Sequence, residues 1–272
     1  MGDQSTKMAS VVCELLAECI GDKQDERGCL TVVVEPTETA WQGAASAALT
    51  ELGAAVLQPA PGAPALITSS TLERCQSDAR PRLDRLHNLA FQYDAHADTS
   101  TERCIQFQEL ASRHPKEDRF DVTVMYNKGA SLLDPSGSEP GTAAWRTLVV
   151  EVDQLVQPIF RQLAVGQTFH AEAAGFVMSH PGAPSQQWHP DDLDTSGLYN
   201  VFIPLIDVTE TNGPTELALS THGDPATAYR ALGHISSAKL GHISTPPELG
   251  PAGGLQLVRP QLRAGSLLIF VT

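Results

Sequence analysis

Residues 179–222 read SHPGAPSQQWHPDDLDTSGLYNVFIPLIDVTETNGPTELALSTH, and the reading of the fold turns on their centre, Trp188-His189-Pro190-Asp191. Side chains two residues apart on an extended chain point to the same side. His189 and Asp191 can therefore reach one metal ion together. With a third ligand from a later strand they would form a two-His-one-carboxylate triad, which leaves positions open on Fe(II) for a co-substrate and O₂. Pro190-Asp191-Asp192 also suits the first turn of a helix, with Pro at its start and carboxylates facing the positive end of the dipole. Spacing by itself leaves both readings open.

Downstream, Val201 to Ile206 is apolar in both phases of the pleat, which predicts a strand buried on both faces. Asn200 stands at its start. Its amide would either hydrogen-bond a co-substrate carboxylate or be satisfied within the core. Asn212-Gly213 offers a tight turn, after which a strand from Thr215 would run back. Trp188 reads as a packing residue and His222 as a loop residue. Further strands are expected at His170–His180, Gly197–Val208, Gln256–Val258 and Ser266–Thr272.

Upstream the pattern is mixed. Helical spacing covers Met8–Ile20, Thr37–Leu52 (with Gly53 as its stop), Thr71–Gln92 and Trp145–Leu163, the last with a kink expected at Pro158. Leu30–Glu35, Ala54–Leu57 and Arg119–Tyr126 read as strands, while Arg103–Leu110 fits either state. Helices followed by a run of short strands predict a mainly β protein with helices flanking one side of a β-sandwich.

With 272 residues, 42% of them hydrophobic, the chain has material for a large core. Its net charge of −14 argues against nucleic acid or an anionic membrane as a partner, since both need a basic face. The five cysteines are odd in number and form no CxxC pair, which fits a reducing compartment better than a disulfide framework. No run of apolar residues is long enough to span a bilayer, and no signal-peptide core follows the N-terminus. A soluble, cytoplasmic protein acting on a small molecule is the expectation.

Several runs, in order and spacing, resemble the phytanoyl-CoA dioxygenase family of Fe(II)/2-oxoglutarate-dependent oxygenases. They are Gly175-Phe176-Val177-Met178-Ser179, Gly182 through Asp191, Leu198 through Val208, Asn212-Gly213-Pro214-Thr215-Glu216, and Leu262 through Phe270. The looser runs Glu109–Arg113 and Arg119–Asp121 extend the likeness, which covers residues 53–272 and leaves 1–52 as a divergent N-terminal segment. The resemblance implies a double-stranded β-helix (jelly roll). It also implies Fe(II) held by His189 and Asp191, 2-oxoglutarate as co-substrate, and hydroxylation of a small organic substrate.

One departure matters. In the family, the strand matched by Gly265–Phe270 leads into a turn carrying the third ligand, a His, and then an Arg that pairs with 2-oxoglutarate. This sequence reads only Val271-Thr272 after that strand. The resemblance therefore implies a form truncated before the last jelly-roll strands, in which the distal His and the Arg are absent. Substitutes in the sequence are His222, His234 or His242 for the ligand and Arg259 or Arg263 for the anchor. Three readings follow: an iron oxygenase, a catalytically inactive scaffold of the same fold, and a zinc hydrolase built on His189, Asp191 and one of those histidines.

Overall fold

The computed structural model describes residues 9–10, 30–35, 38–93, 106–107, 110–112, 119–126, 140–165, 169, 171, 173–183, 185–186, 198–223 and 256–271. In chain order the elements are β1 (Ala9–Ser10), β2 (Thr31–Val34), α1 (Ala40–Leu52), β3 (Ala54–Pro59), α2 (Ser69–Tyr93), β4 (Gln106–Phe107), β5 (Leu110–Ser112), β6 (Arg119–Tyr126), α3 (Pro140–Leu163), β7 (Ala173–Ser179), β8 (Tyr199–Phe202), β9 (Leu217–Leu219), β10 (Gln256–Val258) and β11 (Leu267–Val271). They fall into two compact units. The first takes Met1–Val11, Ile67–Gln157 and Gln167–Pro184; the second takes Val12–Leu66, Pro158–Gly166 and Ser185–Thr272.

The first unit is built on an antiparallel sheet in the order β1-β7-β6-β5-β4. Alternation along β6 buries Phe120, Val122 and Val124, and β7 buries Phe176 and Met178. The β6–β7 ladder shifts register between Thr123 and Met125. Gly175 pairs with Thr123 beside this bulge, where a Cβ would collide with the Val122 carbonyl, so the backbones can approach only because residue 175 is glycine. α2 presents a stripe of Leu72, Cys75, Ala79, Leu83, Leu86 and Ala90 at helical spacing, all buried. On α3, Trp145 is buried and stacks on Phe176 with ring centroids 5.3 Å apart.

One expectation is corrected at its N-terminal edge. Met8–Ile20 was expected to be helical, but Ala9 and Ser10 pair with Met178 and Ser179 of β7. The open ladder groups of a sheet edge outweigh a weak local preference; residues 11–20 lie outside the described residues. Both α2 and α3 continue through an internal proline, Pro81 and Pro158, each of which removes one donor from the helical ladder.

In the second unit, β2 and β3 run parallel, with Thr31 opposite Val56, and α1 is the crossover such a pair requires. α1 buries Ala45, Ala48, Leu49 and Leu52. The sheet order is β2-β3-β11-β8. Its central strands, β3 and β11, are near-continuous apolar runs: Ala54 to Leu57 and Leu267 to Ile269 are buried on both faces.

β8 pairs antiparallel with β11 from Tyr199↔Val271 to Phe202↔Leu268. The same register returns at the bridge Val208↔Leu262, with Gly265 N–H donating to Pro204 C=O (2.9 Å) in between. The break between them has two causes. Pro204 has no N–H to donate, and Gly265, at φ +80°, closes a turn in which Ser266 N–H donates to Arg263 C=O. Burial differs from expectation at one place: residues 199–203 are half-buried, and only Pro204 and Leu205 are buried outright. β8 is the outer strand of this sheet among the described residues, so it lacks a neighbour on one side.

Candidate functional site

His189 and Asp191, with Trp188, lie outside the described residues, as do His234 and His242. Asn200 lies within them, on β8 directly across from Phe270. Cross-strand partners and residues two apart share a face. Asn200, Phe202 and Phe270 therefore line one side of the ladder, where the two phenyl rings meet edge to face at 5.0 Å. Tyr199 points to the other side. Its ring packs on Phe160 at 4.7 Å, and burial pushes its hydroxyl pKa up.

The segment after β9 explains what Glu216 and His222 do. Glu216 forms an ion pair with Arg259, one position beyond the Leu217↔Val258 pair of the β9–β10 ladder. The four last carbonyls of a helix need donors from elsewhere. On α1, Gly53 N–H takes Leu49 C=O at 3.1 Å, and residues 220–222 supply the rest. Ser220 N–H donates to Leu52 C=O (2.7 Å), the Ser220 hydroxyl donates to Glu51 C=O (3.0 Å), and His222 Nε2 meets Thr50 C=O at 3.2 Å. A carbonyl only accepts, so this contact fixes the proton on Nε2. The Nδ1 atom is buried and has no hydrogen-bond partner among the described residues. Ser220 adopts φ +60° to make these bonds. His222 is thus a helix cap in a loop. Arg259 is engaged by Glu216, and Arg263 is exposed beside the Gly265 turn. Among the described residues no group of three His, Cys, Asp or Glu side chains could hold a metal ion.

Sequence reasoning missed the polar cluster of the first unit. Arg82, 1% exposed, donates from Nε to Asp78 Oδ2 (2.6 Å) and from Nη2 to the Thr142 hydroxyl (3.1 Å). Trp145 Nε1 donates to the same Asp78 oxygen at 2.8 Å. The only trace in the sequence is an Asp-Arg pair spaced i, i+4. Burial pushes the nearby Cys75 thiol up to about 12, with the Asp78 charge adding to it, so this cysteine is an inert packing group. At the start of α2, Glu151 accepts the Thr68 N–H (2.8 Å) and both the Thr68 and Thr71 hydroxyls. Burial works to raise the Glu151 pKa, but these bonds and the Arg74 charge together hold it below its ordinary value.

A cleft of about 470 Å³ opens between β2 and the N-terminal half of α1. Val33, 48% exposed, lies on one wall, and Trp41 with Ala44 and Ala47 on the other; Glu35 and Glu38 stand at its end. No family model, curated protein or solved structure matches the chain.

Proposed function

We propose that the chain is an Fe(II)/2-oxoglutarate oxygenase-like protein of the phytanoyl-CoA dioxygenase type, on a jelly-roll scaffold, with iron on His189 and Asp191 and a small organic molecule as substrate. The observation that carries this reading is the ladder joining residues 199–208 to 262–271. Two runs that resemble the family, far apart in the chain, lie side by side in one register. The ladder fixes the strand that follows Asp191, and it presents Asn200 beside Phe202 and Phe270, where an amide could hydrogen-bond a co-substrate carboxylate.

Iron so held would supply O₂ activation, with 2-oxoglutarate converted to succinate and CO₂. Two of the candidates for the remaining roles are already engaged. His222 caps α1 and Arg259 is paired with Glu216, so neither stands ready as third ligand or co-substrate anchor. That engagement favours a second reading, a scaffold that binds a small molecule without turnover.

The deciding experiment is an anaerobic titration with Fe(II) and then 2-oxoglutarate, followed by visible absorption. A charge-transfer band that disappears in His189→Ala supports the iron site, and succinate formation rules out the inactive scaffold. If unaltered protein gives no band, the iron reading falls.

A further inference from the structure

We propose that the cleft between β2 and α1 is a binding site for a small organic cation, an ammonium group on a compact apolar body. This inference is independent of the iron reading. The cleft is open to solvent, since Val33, both glutamates and the alanines are exposed, and its volume of about 470 Å³ lies within the range of small-molecule sites. Its walls are apolar and its end is anionic. The apolar part follows from the sequence of α1: Ala40, Ala44 and Ala47 recur at helical spacing, so this row carries only methyl groups and leaves room above it.

Trp41 stands next to that row, half-buried, and contributes an aromatic wall. The anionic part comes from the turn between β2 and α1, where Glu38 N–H donates to Glu35 C=O at 3.0 Å. That turn sets both glutamates, each exposed and each lining the cleft, at the end where β2 leads into α1. Among the described residues neither has an ion-pair partner and no Lys or Arg lines the cleft. The occupant that matches all three features is a cation that stacks on an indole face, places its charge near two carboxylates and buries its alkyl part against Val33 and the alanines.

Choline is a suitable probe, and 3,3-dimethylbutan-1-ol is its neutral counterpart of the same shape. Calorimetric titration at low salt should show saturable choline binding that weakens as salt is added. The neutral alcohol should bind about tenfold more weakly or not at all. Glu35→Gln with Glu38→Gln should lower choline affinity about tenfold, and Trp41→Leu about two- to fivefold. Equal binding of choline and the alcohol, or no saturable binding of choline, overturns the proposal. That comparison uses unaltered protein, so it decides the matter even if a variant fails to fold, and no iron is added.

Discussion

Replacing Gly53 with Ala should destabilise the second unit far more than a single methyl suggests. Gly53 sits at φ +76°, and its N–H closes α1 on Leu49 C=O. A side chain in this left-handed region costs roughly 1–2 kcal/mol for backbone strain alone. The added Cβ would also lie 2.5 Å from His222 Nδ1 and 2.8 Å from Cγ of the same ring. The ring must therefore move, and its bond to Thr50 C=O is lost, at about 0.5–1.5 kcal/mol. The expected total is roughly 1.5–3.5 kcal/mol, a large part of the stability of an ordinary domain. Urea unfolding should show a lower midpoint at unchanged slope. His222→Ala alone should cost about 1 kcal/mol through the lost cap. The double variant should cost less than the sum of the two, because the collision is already gone. Gly53→Asn separates the causes: Asn tolerates the left-handed backbone but still carries the Cβ. If Gly53→Ala is neutral, if the two changes add, or if Asn restores full stability, the collision with His222 is not what the position avoids.

Two further predictions concern the first unit. Gly141→Ala, at the start of α3, would normally favour a helix by about 1 kcal/mol; here its Cβ would collide with the Asp78 carboxylate, so a loss of roughly 2–4 kcal/mol in chemical unfolding is expected as the Arg82 and Trp145 bonds are disturbed. The folded-state pKa of Glu151 lies below its unfolded value, so its stabilisation is complete above the unfolded value and disappears as pH falls through the folded one. Glu151→Gln should therefore lower the unfolding midpoint at neutral pH and flatten its decline on acidification, and an unchanged acid limb would contradict the assignment.

What could be read from the sequence was whatever depends on local periodicity. The alternation of β6, the apolar runs of β3 and β11, and the α1 stripe ending at Gly53 all stand in the structure where the residues place them. Residues 103–110 resisted because β4 and β5, two and three residues long, carry too little pattern to identify alone; β5 is defined by pairing with β6 and β4 by pairing with β5. The candidate site divides in the same way. Asn200 lies near the start of β8, one residue after Tyr199, where its sequence context put a strand. The capping role of His222 depends on a helix end 172 residues away in the chain, and the Asp78–Arg82–Trp145 cluster joins residues 67 apart, so no window along the sequence contains either.

This long-range character bears on the function proposed for the second unit. Its sheet is assembled from residues 31–34, 54–59, 199–202 and 267–271, and two separate stretches converge at the end of α1: Ser220 and His222 on its last carbonyls, and Val271 N–H on Gly53 C=O at 2.9 Å. Contacts of such sequence separation form only after the loop entropy between them has been overcome. The face shared by Asn200, Phe202 and Phe270 exists only once β11 has docked between β3 and β8, and that docking is fastened at Gly53. A co-substrate contact through Asn200 would thus depend on the α1 cap as much as on β8 itself, although neither Gly53 nor His222 need touch the co-substrate.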